Sequence, residues 1–155
     1  MSRPTSYAGR GGDLGLDGVR SGPEALAEGA SYALTRTVTE EMSARHLGSG
    51  SIGVLATPAM VAMMEGASTR CVQPYLEEGR TTVGYVVNIR HLAPTAIGRE
   101  ATARATVTGI DGKRITFRVE CLEGDKKVGE GEHVRVIIDS SAFLTAAGAS
   151  GTPQS

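Results

Sequence analysis

One segment of this 155-residue chain reads strongly as helix, and almost everything after it reads as strand. From about Pro58 to Leu76, the residues Met60, Met64, Ala67, Cys71 and Tyr75 recur at spacings of three and four, the repeat of one helical face. Val61, Met63 and Val72 widen that face, so the helix is expected to be buried on most sides. Thr57 is expected to cap its start, with Pro58 at the first helical position. Pro74 and Gly79 mark its end.

After Gly79 the period falls to two. Val83, Tyr85, Val87 and Ile89 alternate with small or polar residues up to His91. Ala101, Ala103, Ala105 and Val107 alternate likewise, and Asp111-Gly112 is a hairpin turn. Ile115, Phe117, Val119 and Cys121 form the return strand. A turn over 123–126 leads into a last strand over 128–139, with Val134, Val136 and Ile138 on one face. Before the helix, residues 31–39 read as a first strand. One long helix has no second helix to pack on, so one antiparallel sheet must cover it. The expected class is α+β: a hotdog fold, an antiparallel sheet wrapped around one long central helix. Its edge strand and open face invite pairing with a second copy.

Composition narrows the function. Aromatic residues make up 4% of the chain and Trp is absent, so the core is aliphatic. Small cores of this kind gain stability by burying more surface in an oligomer. The formal charge is −1, with both signs scattered, and no basic stripe points to nucleic acid. Cys71 and Cys121 belong to no Cys/His cluster, which argues against a disulfide scaffold or structural zinc and suits a reducing cytoplasm. No apolar run reaches the ~20 residues that span a bilayer. Residues 1–29 are rich in Gly and are expected to be a disordered extension; residues 30–143 form the domain, and 144–155 a flexible tail. The run Gly9–Gly15 lacks the Lys-Ser/Thr ending of a phosphate loop.

Three residues could carry chemistry. Glu65 lies mid-helix in a nearly charge-free run, where a carboxylate is costly unless paired, hydrogen-bonded or at a wet cleft. Burial there would raise its pKa toward that of a general base; the plain alternative is a side chain pointing to solvent. His91 ends a strand before a Pro-containing turn and could act as acid or base, or simply cap the strand. Thr57 has a structural role as helix cap, yet a helix start also offers N–H groups to an oxyanion. Thr57 and Glu65 stand eight residues apart, about 12 Å along a regular helix. They meet only if the chain before Met60 folds back or if subunits share a site. His46 and His133 sit beside no buried carboxylate in the pattern. The methionines read as core filler, and Gly129 and Gly131 as a bulge or a close approach.

The run Val54-Leu-Ala-Thr-Pro-Ala-Met-Val-Ala-Met-Met-Glu-Gly-Ala, with Pro74-Tyr-Leu-Glu, Thr82-Val-Gly and His91-Leu-Ala-Pro-Thr-Ala-Ile-Gly, resembles the fluoroacetyl-CoA thioesterase family of hotdog enzymes. Gly129-Glu-Gly-Glu-His-Val-Arg resembles its last strand, and the likeness runs from about residue 30 to 143. The resemblance implies hydrolysis of an acyl-CoA thioester with no metal or organic cofactor, a catalytic set at Thr57, Glu65 and His91, and a glycine at Gly84 that approaches the substrate. The fluoroacetate-selective member is Phe-rich ahead of its helix, whereas residues 46–55 here contain no Phe. A short or medium acyl-CoA is therefore the expected substrate, and a homodimer or higher homo-oligomer the expected assembly. A hotdog hydratase would need an Asp and His motif that the helix segment lacks. The non-enzymatic alternative is an acyl-CoA binding or sensing module.

Overall fold

The computed structural model describes residues 25–149. Most of the expected N-terminal extension and the end of the tail lie outside them. Strand β1 (Ser31–Thr37) is followed by a short helix α1 (Ala44–Leu47) and by the long helix α2 (Thr57–Val72). Strands β2 (Arg80–His91), β3 (Glu100–Asp111), β4 (Arg114–Glu123) and β5 (Lys126–Asp139) complete one antiparallel sheet in the order β1-β3-β4-β5-β2. A final helix α3 (Ser140–Ala146) is capped by the Asp139 carboxylate, which accepts from the Ala142 N–H.

The periodicities set this arrangement. Met60, Met64, Ala67 and Cys71 on α2 are fully buried, with Met63 and Val72 beside them. Opposite them, β3 presents Ala101, Ala103 and Ala105, and β4 presents Ile115, Phe117, Val119 and Cys121, all at 0% exposure. The small alanines let the helix approach the sheet closely, while the larger β4 residues fill the remaining depth. Pro74, in a 3₁₀ turn over Gln73–Tyr75, ends the helix because it has no N–H to continue the ladder. Gly112 and Gly124 adopt positive φ in the two hairpin turns, where a Cβ would be strained.

The two ends of the domain differ from expectation. Order begins before Ala30: Leu26 is buried in the core, and the Gly29 N–H donates to Val107 O. At the other end, α3 continues past residue 143 instead of giving way to a loose tail.

A second difference concerns faces. Residues opposite each other across a ladder share a face of the sheet. Gly129, which a Cβ would drive into Met60 Sδ, pairs with His91, so that row faces the helix. The same face then carries Ile89, Val87 opposite His133, and Gly84 opposite Arg135, with a bulge between Gly84 and Val86. On β5 the helix-facing set is thus His133, Arg135 and Ile137, whereas Val134, Val136 and Ile138 lie on the outer face, only partly buried. The bulge also breaks the alternation of Val83, Tyr85, Val87 and Ile89.

Strand β2 lies at the sheet edge, and Tyr85, Val86 and Val87 are 59%, 38% and 49% exposed. Its attachment to β5 depends on Gly131. A Cβ there would stand 2.1 Å from the Asn88 carbonyl oxygen, a backbone atom that cannot swing aside. Gly131→Ala is therefore expected to destabilise the fold by about 2 kcal/mol or more, in the range of overpacked interiors. Urea denaturation would measure it, and an unchanged midpoint would contradict the tight β2–β5 contact.

Candidate active site

The polar residues on the helix-facing side fall into two groups, one at the N-terminus of α2 and one beside its middle. At its N-terminus, Thr57 does not cap the helix. Ala56 occupies the cap position and makes no side-chain bond. The Thr57 hydroxyl instead lies 2.8 Å from Nδ1 of His91, at the end of β2. Pro58 follows, so the first turn begins with a fixed backbone and a hydroxyl turned toward the sheet. His91 Nε2 is buried with no hydrogen-bond partner among the described residues. Desolvation holds the His91 imidazole below its ordinary pKa, against a smaller raising effect from a backbone hydrogen bond at Ala93. The ring is accordingly neutral at pH 7 and able to take up a proton. Beside it opens a cleft of about 360 Å³ lined by Ala44, Val54, Leu55, Thr57, His91 and Leu92 among others.

The second group surrounds Glu65. Its carboxylate sits 3.2 Å from Nη1 of Arg135, and its side chain is 39% exposed while that of Arg135 is 8% exposed. Pairing with a cation and partial exposure are thus what make a carboxylate tolerable in this part of the helix. Gly84 lies directly against it: a Cβ at that position would come within 2.7 Å of Glu65 Oε2. Arg135 is held from the other side by Thr82, with Nε donating to Thr82 Oγ1 at 2.8 Å and Nη2 to Thr82 O at 2.9 Å. Burial pulls the Arg135 pKa down, and Glu65 offsets this; a guanidinium remains charged in any case.

The expected site residues are therefore grouped by twos. Thr57 meets His91, and Glu65 meets Gly84. Because α2 is regular from Thr57 onward, the chain does not fold back, and Glu65 stays about two turns away from Thr57 in the same protomer. Arg135 and Thr82 carry no mark as site residues in the sequence, and His133, set aside there as lying beside no carboxylate, in fact contacts the arginine that pairs with Glu65. The available signal was the alternation itself: His133 and Arg135 occupy every second position of β5, the set complementary to Val134 and Val136. No three His, Cys, Asp or Glu side chains gather as metal ligands among the described residues.

Residues 38–141 match the model of a family described as fluoroacetyl-CoA-specific thioesterase. The chain belongs to this family. It is 36% identical over 90 residues to the fluoroacetyl-CoA thioesterase of Streptantibioticus cattleyicolor, a match covering 58% of this chain and 65% of that protein, slightly less than two thirds of its length. The solved structure of the fluoroacetyl-CoA thioesterase FlK superposes with a TM-score of 0.75 at 29% identity, over 83% of this chain and 98% of that one. A thioesterase superfamily member from Thermus thermophilus gives 0.71 at 33% identity, over 78% of this chain and 89% of that one. The hotdog architecture read from the sequence is therefore the architecture of the family.

The His91 environment sets a pH dependence. Were the neutral imidazole to serve as a base, protonation would remove that role, so kcat/KM is expected to rise with pH and level off, with an apparent pKa below the ordinary ~6.5. Stability has the same sign: the unfolded chain binds the proton first, so the fold weakens as pH drops below ~6.5 toward the lowered folded-state pKa. His91→Ala is expected to slow turnover strongly and to make the acid limb of the profile shallower. A slowed variant that keeps the original profile would remove His91 from the proton transfer.

Proposed function

We propose that the protein is an acyl-CoA thioesterase that hydrolyses a short or medium acyl-CoA to the free acid and CoA. The observation that carries this reading is the Thr57–His91 pair, which stands at a cleft beside the first turn of α2 and presents a neutral imidazole. Family membership supports the reaction class. Thr57 orients the thioester, and the N–H groups of the first helical turn face the oxygen that becomes negative. Glu65 activates water or attacks the carbonyl carbon itself. By either route one molecule of water is consumed, the C–S bond breaks, and the departing thiolate takes a proton through His91. Gly84 leaves room for substrate beside Glu65. The absence of Phe over residues 46–55 favours a general aliphatic acyl group over fluoroacetyl. No described helix is long and apolar enough to cross a membrane. Cys121 is a buried free thiol, which suits the reducing cytoplasm where acyl-CoA is found.

The working unit in this reading is a homodimer paired through β2. That strand has an open edge and exposed Tyr85, Val86 and Val87, a liability that a second copy would cover. In a two-fold antiparallel pairing centred between Val87 and Asn88, Gly84 of one copy lies opposite His91 of the other. Glu65 of each protomer then completes the Thr57–His91 pair of its partner, which accounts for their separation within one chain.

Two measurements test this. A panel of acyl-CoA esters should show turnover that Glu65→Gln lowers by at least ~10²-fold with the fold intact, the scale of acid–base contributions. Tight CoA-ester binding with no turnover across the panel would instead identify a sensing module. Light scattering should give a dimer or a multiple of it; a stable monomer at micromolar concentration would contradict the shared site.

A further inference from the structure

We propose that His133 is a positioning residue: as a neutral imidazole it holds Arg135 toward Glu65, and a proton taken up by its ring releases the guanidinium and switches the site off. The inference rests on the reading of Glu65 as a reacting group.

His133 is 1% exposed, on the helix-facing side of β5. Its Nε2 lies 3.1 Å from Nη1 of Arg135. A guanidinium has hydrogen-bond donors only, so Nε2 must accept and carries no proton. The ring proton is then on Nδ1, which donates to Val86 O at 2.7 Å. Both nitrogens are engaged, and the tautomer is fixed by their partners. The two hydrogens of Nη1 are likewise spent, one on His133 and one on Glu65 Oε2 at 3.2 Å. Since Nε and Nη2 are bound to Thr82, the guanidinium cannot turn away from His133 without breaking those bonds.

Val86 is the first residue after the β2 bulge beside Gly84. One imidazole therefore holds both the cation that faces Glu65 and the bend in the strand against which Glu65 packs. The charged groups facing the ring are Arg135 on β5 and Glu65 from α2; β4 contributes the Phe117 ring, stacked at 6.2 Å between centroids, and β2 the Val86 carbonyl. A proton on Nε2 would set N–H against N–H and one cation against another. Burial, with a smaller contribution from Arg135, already holds the His133 pKa below its ordinary value, while the Val86 carbonyl and Glu65 act in the opposite direction. The ring is neutral at pH 7, and the switch operates on the acid side.

The test combines spectroscopy with kinetics. In protein labelled with ¹⁵N-histidine, His133 should report the Nδ1–H tautomer and stay neutral as pH falls through ~6.5. An Nε2–H tautomer, or titration at the ordinary value, would overturn the proposal. His133→Phe keeps a ring on Phe117 but removes both nitrogens. It should lower kcat by about 10²-fold, the scale of a misplaced reacting group, with little change in KM. His133→Gln can still accept from Arg135 but cannot titrate. It should recover most of that loss, and the limiting acid slope of log kcat/KM should become shallower by about one, because the ring of His133 no longer contributes a proton. Unaltered kcat in His133→Phe, or an unaltered slope in His133→Gln, would overturn the assignment. Should His133→Phe not fold, the Gln variant and the tautomer decide. If the unaltered protein hydrolyses no acyl-CoA, the functional reading falls, while tautomer and titration still decide whether His133 holds Arg135.

Discussion

A guanidinium buried on the helix-facing side of a sheet is expensive unless every N–H is directed at an acceptor. Arg135 directs four of its five N–H groups at acceptors, on Thr82 of β2, His133 of its own strand and Glu65 of α2. Those contacts join the three elements from which the candidate site is built. They fix the β2–β5 register beside the bulge, and they give a mid-helix carboxylate a partner in an otherwise apolar stretch. Gly84 then becomes a requirement, because the carboxylate occupies the volume its Cβ would fill. Removing Arg135 would leave Glu65 and His133 facing each other without the group that reconciles them.

The elements were legible in the sequence, and the reasons are local. Methionines, alanines and a cysteine at helical spacing mark α2, and Ala101 to Val107 and Ile115 to Cys121 mark two strands that meet it. What a period of two does not reveal is which of its two sets lies inside. On β5 the apolar set Val134, Val136 and Ile138 looks like the core set, yet the helix covers His133, Arg135 and Ile137. The polar network was hidden by that inversion. Thr57 illustrates a second limit. A threonine before Pro at a helix start fits a cap, and only the position of His91 across the groove assigns the hydroxyl elsewhere. Leu26 is a lone apolar residue and α3 is short, so neither creates a periodic signal, although burial in the core holds Leu26 and the Asp139 cap starts α3.

In the proposed dimer the distribution of polar groups would link assembly to chemistry. Within one protomer, Thr57–His91 and Glu65–Arg135 lie on the same side of the sheet, at opposite ends of the exposed stretch of β2 that includes Val87. An apolar edge between two sets of polar groups is a poor solvent-facing surface. Pairing of two copies would cover that edge and bring unlike half-sets together at each end. Sequence differences in the loop ahead of α2 would then tune the acyl group without disturbing the polar framework, since that loop lines the cleft but contributes nothing to the Arg135 network.

The central claim is that each site draws its Thr57 and His91 from one subunit and its Glu65 from the other. Co-expression of Glu65→Gln and His91→Ala chains under separate affinity tags tests it most directly. Each variant alone should be nearly inactive. Random pairing places both defects at one site of a mixed dimer and leaves the other intact, so the mixture should regain about a quarter of the unaltered turnover, and the doubly purified mixed dimer about half. A mixed dimer no more active than its two parents would contradict the shared site.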